Sequence, residues 1–156
     1  MLKFSGLPTN EANRLRAGGV DHHNQPPESQ TSDGNGNPCR HCLGFIDKGE
    51  NFLVLSHRPF QSIQPYAEQG PIFLHAENCP AHQSVAEKLP PVLHDSRSYL
   101  LRGYDQDERI VYGSGGMVEH ENIITHAKEL FQNPRIRFIH VRSSSNNCWQ
   151  ARIDPA

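Results

Sequence analysis

Cys39-x-x-Cys42 is followed about thirty residues later by His75-x-x-x-Cys79. Each pair can sit on one tight turn, and together they offer three thiolates and one imidazole. That is the ligand set of a tetrahedral Cys3His zinc site. A Cys-x-x-Cys turn aims backbone N–H groups at its two sulfurs. Pro38 fixes the chain before it, and Gly44 supplies freedom after it. For one ion to be shared, two distant turns must meet, and this constrains everything between them. With every corner supplied by the protein, such a site is structural rather than catalytic.

Other readings of the same residues stand beside this one. His41, inside the turn, and His82, three residues after Cys79, are substitutes for His75 as fourth ligand. Bonding one ion through His41 and both flanking cysteines strains the turn, so His75 is preferred. A redox pair needs a helix N-terminus to lower a thiol pKa, whereas Leu43 to Gly49 reads as strand and turn. A c-type haem needs His directly after the second Cys, where Leu43 stands. An iron–sulfur cluster would take Cys148 as a fourth thiolate, far away in sequence. The plain alternative is free, buried cysteines.

The chain of 156 residues suits one domain, 1–156. Only 35% of it is hydrophobic, and Gly and Pro contribute 12 residues each. Such a chain builds a modest core with long loops, and a metal clip stabilises it. No apolar run reaches bilayer length, and Met1 to Pro8 lacks the apolar core of a signal peptide. A cytoplasmic location is expected, where four cysteines stay reduced. A net charge of −2 exerts no general pull on nucleic acid or anionic lipid.

Periodicity predicts a strand and then a helix over residues 2 to 18. Residues 20 to 37, polar and rich in turn formers, read as a flexible loop. Strands are expected at 51–57 and 71–75, a short helix at 81–89, and a hairpin from 97–104 and 109–112. Met117, Ile123, Ile124, Ala127, Leu130 and Phe131 recur at helical spacing, predicting a helix over 117–132 stopped by Asn133-Pro134. Two last strands follow at 135–142 and 148–153. The expected class is α+β: one domain, mainly antiparallel sheet with two or three helices and a zinc-knuckle-like corner.

Alternation sorts the C-terminal strands by face. Ile136, Phe138, His140 and Arg142 share one face; Cys148, Gln150 and Arg152 share a face opposite Trp149, Ala151 and Ile153. With Arg102 and Tyr104 of the hairpin, these residues gather a polar cluster beside the glycine turn at Gly113 and Gly115. If that turn opens a helix, its free N–H groups favour an anion. Arg102, Tyr104, Gly113, Gly115, His140 and Arg142 are therefore the candidate ligand-binding residues, for a small anion or a protein partner. An enzyme reading makes His140, Cys148 and Tyr104 the catalytic candidates. A third reading is single-stranded nucleic acid, on four arginines between Arg135 and Arg152 with Phe138 and Trp149 for stacking. The net charge disfavours a large footprint of that kind.

Pro38-Cys-Arg-His-Cys-Leu43, Ser56-His-Arg-Pro-Phe60, Pro65-Tyr-Ala-Glu68, Gly70-Pro-Ile-Phe-Leu-His-Ala76 with Cys79, Leu101-Arg-Gly-Tyr-Asp105, Arg109-Ile-Val-Tyr-Gly113 and Phe138-Ile-His-Val-Arg142 with Asn147-Cys148 occur in order. Together they resemble the family catalogued as domain of unknown function 1203. The resemblance spans nearly the whole chain outside 20–37. It implies a small single-domain bacterial protein and brings no catalytic residue with it.

Overall fold

A computed structural model describes residues 1–156. The fold is α+β, with two antiparallel sheets and two short helices. Strand β1 (Leu2–Ser5) leads into α1 (Thr9–Arg16), and β2 (Glu28–Thr31), β3 (Asn51–His57) and β4 (Gly70–His75) follow. A 3-10 turn at Pro91–His94 precedes β5 (Ser98–Tyr104) and β6 (Gly116–Glu119). Then come a 3-10 turn at His120–Asn122, α2 (Ile123–Leu130), β7 (Phe138–Ser143) and β8 (Trp149–Pro155). One sheet has the order β1-β8-β7-β5-β6, the other β2-β3-β4.

Alternation explains the larger sheet. Tyr99, Leu101, Ile139, Val141, Ala151 and Ile153 point to one side and bury against Ile123 and Ala127 of α2. Each large aliphatic side chain so buried contributes roughly 1.5–3 kcal/mol. Register places Arg102 opposite His140 and Tyr104 opposite Phe138 on the other side. A second core, with Leu7, Ala12, Leu15, Ile46, Leu55 and Leu74, ties α1 to the smaller sheet and to the cysteine turn.

Four expectations are corrected. Residues 20 to 37 are not all loop, since Glu28–Thr31 adds an edge strand to β3 through backbone bonds and one side-chain bond from Thr31 to Asn51, all four side chains being exposed. Residues 81 to 89 form no helix: Glu87 takes a φ of 57°, which breaks helical geometry, and the Ser84 hydroxyl accepts from Phe4 N–H. Residues 109–112 give no second hairpin strand, only a bridge between Tyr104 and Ile110; β5 pairs instead with β6 and β7. The helix expected over 117–132 covers only Ile123–Leu130, because Met117 and Val118 pair with Leu100 and Tyr99 as strand.

The face assignment of β8 is corrected as well. The β7–β8 register slips between Val141 and Arg142, so Trp149 stands opposite Arg142. A bulge of this kind turns a side chain to the other face. Trp149 therefore leaves the side of Ala151 and Ile153 and joins that of His140, where it packs into the second core.

Candidate functional site

The Cys39–Cys42 turn closes through Leu43 N–H to the Cys39 carbonyl and Cys39 N–H to the Gly44 carbonyl. Leu43, not Gly44, takes the left-handed conformation, at φ 53°. Its fully buried side chain holds it there. Arg40 anchors the turn from inside. Its backbone N–H donates to Phe73, its carbonyl accepts from Leu7, and its guanidinium donates to the carbonyls of Trp149 and Pro38. Burial without a carboxylate partner lowers the Arg40 pKa to about 10.

The second pair comes from the end of β4. There His75 N–H lies 3.4 Å from Cys39 Sγ. The donor atoms of Cys39, Cys42, His75 and Cys79 all lie within 4.8 Å of one another. Cys39 Sγ to Cys79 Sγ is 3.9 Å, and Cys42 Sγ to His75 Nδ1 is 3.7 Å. The edges of a zinc tetrahedron built from usual bond lengths are about 3.5–3.8 Å. The four residues are close enough to hold a metal ion, and soft donors in this number fit a closed tetrahedral site.

Titration follows the crowding. The Cys39 thiol is drawn well down, chiefly because Cys42 donates to it. Cys42 is pushed up for the same reason, and burial raises Cys79. A cation replaces the protons that such a cluster otherwise shares.

A ring of further contacts surrounds these donors. Arg16 of α1 reaches Cys79 Sγ, and His75 Nε2 lies 3.5 Å from Glu50 Oε2. His41 Nδ1 is 3.2 Å from Cys79 Sγ, while its Nε2 bonds Thr9 Oγ1. His41 thus lies beside the cluster, engaged on both nitrogens. His82 and Cys148 are not part of the cluster. No helix follows Cys42, so a redox pair has no dipole to draw on.

The polar face of β5 and β7 is the second candidate site. Glu68 bridges two guanidinium groups: Arg102 Nη2 and Arg142 Nη2 each lie 2.8 Å from its Oε2. Two cations share one carboxylate, and Arg142 is only 5% exposed. Arg102 Nε, Arg142 Nε and the Tyr104 hydroxyl are buried with no protein partner. Burial raises the Tyr104 pKa. His140 is wholly buried among Phe60, Tyr104, Phe138 and Trp149, and both its nitrogens are unpartnered. Desolvation, reinforced by nearby Arg142, keeps it neutral.

Arg102, Tyr104, His140 and Arg142 are thus brought together. Cys148 is not paired with His140; its thiol faces the Asn146 carbonyl at 3.7 Å. Gly113 and Gly115 lead into β6, so no helix N-terminus faces an anion there. Phe138 and Trp149 are buried, at 3% and 6% exposure, which removes them as stacking platforms for bases. Arg152 lies 3.8 Å over the Phe138 ring and forks onto Asp154. Sequence reasoning missed Arg16, Arg40, Glu50, His57 and Glu68. Arg40 is signalled by its place inside the Cys-x-x-Cys turn; the others carry no local signal.

A family described as "Protein of unknown function (DUF1203)" matches residues 36–154, which include Cys39, Cys42, His75 and Cys79 and the polar face. The chain belongs to this family. The match leaves out β1, α1 and β2, so Arg16 and Thr9 reach the DUF1203 region from outside it. Searches of curated proteins and of solved structures return no match.

Proposed function

We propose that this protein is a small binding protein. Its Cys39, Cys42, His75 and Cys79 hold one structural zinc ion, and its Arg102–Tyr104–His140–Arg142 face takes a small anionic ligand. The observation that carries the ligand reading is the shared carboxylate. Glu68 is one carboxylate for two guanidinium groups, Arg142 buried and Arg102 partly buried, so one positive charge is left without a counter-charge next to donors that have no protein partner. A buried, uncompensated charge costs several kcal/mol unless something pairs with it. Of this face, Arg142 opens onto a cavity of about 370 Å³ that is also lined by His57, Glu68, Asn147, Cys148 and Trp149, and an anion there would meet Arg142. A protein carboxylate presented by a partner would satisfy the same charge.

The zinc reading rests on the donor set. Three thiolates favour zinc over the hard cations magnesium and calcium, and all four corners come from the chain. The protein is expected to act in the cytoplasm, where these thiols stay reduced.

Calorimetric titration with sulfate tests the anion reading. Binding that Arg142→Met weakens about tenfold or more, with the melting transition still cooperative, supports it. Sulfate binding that is unchanged in Arg142→Met, or absent from the unaltered protein, removes it.

The catalytic alternative assigns the chemistry to His140, Cys148, Tyr104 and Arg102. It lacks the contact between nucleophile and base that such chemistry requires. The nucleic-acid alternative predicts affinity falling steeply with salt, and its aromatic platforms are buried.

A further inference from the structure

Beside the end of β3 lies a second cavity, of about 630 Å³, larger than the one at Arg142. His22, His57, Arg58, Phe60, His140 and Trp149 line it. Their rings form a continuous wall: His22 to His57 at 5.4 Å, His57 to Trp149 at 5.3 Å, Trp149 to His140 at 6.0 Å and His140 to Phe60 at 5.0 Å.

Within this wall, polar atoms are buried and unpartnered: His57 Nδ1, Arg58 Nε, both nitrogens of His140, and Trp149 Nε1. His57, His140 and Trp149 are 8%, 0% and 6% exposed. Each such atom costs about 1–3 kcal/mol if nothing meets it. What meets them is restricted by chemistry. Trp149 Nε1–H and Arg58 Nε–H only donate. Burial keeps His57 and His140 neutral, so each imidazole has one nitrogen that donates and one that accepts. The complementary group both gives and takes a hydrogen bond. Water does this, and so does a hydroxyl that displaces water without losing its bonds. Phe60 and Trp149 add flat apolar surface.

Charge narrows the class further. Glu11 is bound by Arg14, Arg152 by Asp154, and Glu108 by the N–H groups of Gln61 and Ser62. Lys3 and Arg58 also line the cavity and have no ion-pair partner. Glu108 has no counter-cation, so one negative charge stands against Lys3 and Arg58, and the net free charge around the cavity is positive.

We infer that this cavity binds a small polyhydroxylated anion, a sugar acid or sugar phosphate, with its hydroxyls on His57, His140 and Trp149 and its charged group toward Arg58. The inference shares His140, His57 and Trp149 with the anion reading above but places the charged group on Arg58 rather than on Arg102 or Arg142, so the Arg58 and Arg142 variants separate the two.

Trp149 is the only tryptophan of the chain and lines both cavities, so its fluorescence and its Nε1–H resonance report binding at either, and the Arg58 and Arg142 variants tell the two apart. The full-length protein is titrated with gluconate, ribose 5-phosphate, acetate and inorganic phosphate. Gluconate is expected to bind at least about tenfold tighter than acetate, or ribose 5-phosphate at least about tenfold tighter than phosphate. The member of the pair that does so identifies the source of the charge. Arg58→Met weakens the bound member about tenfold, and His140→Phe abolishes the advantage conferred by hydroxyls, whereas Arg142→Met changes neither. The inference is overturned if acetate and phosphate match their hydroxylated counterparts, if no probe moves the Trp149 signals at about 10 mM, or if Arg58→Met leaves binding unchanged. Arg58 is only partly buried, so that variant remains informative if His140→Phe does not fold.

Discussion

Arg16 and Cys79 are joined by a hydrogen bond of 3.0 Å from Nη2 to Sγ, while Arg16 Nε donates to the His75 carbonyl at 2.9 Å. One guanidinium on α1 therefore touches both residues of the second ligand pair. With a divalent zinc held by three thiolates and one imidazole, the cluster would carry one net negative charge. Arg16 would place a positive charge against it, and Glu50 Oε2 lies 3.5 Å from Nε2 on the far side of the His75 ring. Outer contacts of this kind orient ligands and hold the metal.

Arg16→Gln is accordingly expected to weaken zinc binding about tenfold or more while leaving the stoichiometry unchanged. Competition with a chromogenic chelator measures this. Glu50→Gln should act in the same direction more weakly, because Glu50 is about half exposed and its contact is longer.

Cys42→Ser removes a corner of the tetrahedron. Zinc binding is lost, and the unfolding free energy falls by roughly 3 kcal/mol or more, since metal binding and local folding are linked. Urea denaturation with and without chelator checks this: chelator destabilises the unaltered protein and has little effect on the variant.

Gly6 makes the turn that brings α1 onto the cysteine loop. A Cβ there runs into the Arg40 carbonyl oxygen, whose partner is Leu7 N–H. Gly6→Ala is expected to cost about 2 kcal/mol and to weaken metal binding through the displaced Arg40. Thermal melts and zinc competition on the same sample distinguish this from a purely local loss.

The buried histidines set a pH dependence. Desolvation lowers His57 to about 3 and holds His140 well below its usual value. Below about pH 6.5 the unfolded chain takes up protons at these positions and the folded chain does not. The histidines' contribution to stability is therefore flat above about pH 7 and falls as pH drops, by up to about 1.4 kcal/mol per pH unit for each histidine. His140→Phe should remove one proton's share of that slope between about pH 6 and 5. Acid release of zinc is common to both proteins, so their difference isolates His140.

What the sequence disclosed follows physical range. Leu101, Ile139, Val141 and Ile153 alternate with polar neighbours, and the two-residue period reads directly as a buried sheet face. The Cys39–Cys42 and His75–Cys79 pairs are legible because ligand geometry fixes their spacing. Met117 misled: it extends the helical pattern of Ile123 and Ala127, but its pairing with Leu100 decides its conformation. Trp149 was assigned to the wrong face because a bulge leaves no mark in alternation. Arg16 and Glu68 could not be read at all, since their partners are brought to them only by the folded chain.

Metal analysis of protein purified under reducing, chelator-free conditions, paired with native mass spectrometry, tests the zinc centre most directly. One zinc per chain is predicted, falling to none in Cys42→Ser and remaining at one in Cys148→Ser. Zinc-free protein with the same melting temperature before and after added zinc would contradict the account.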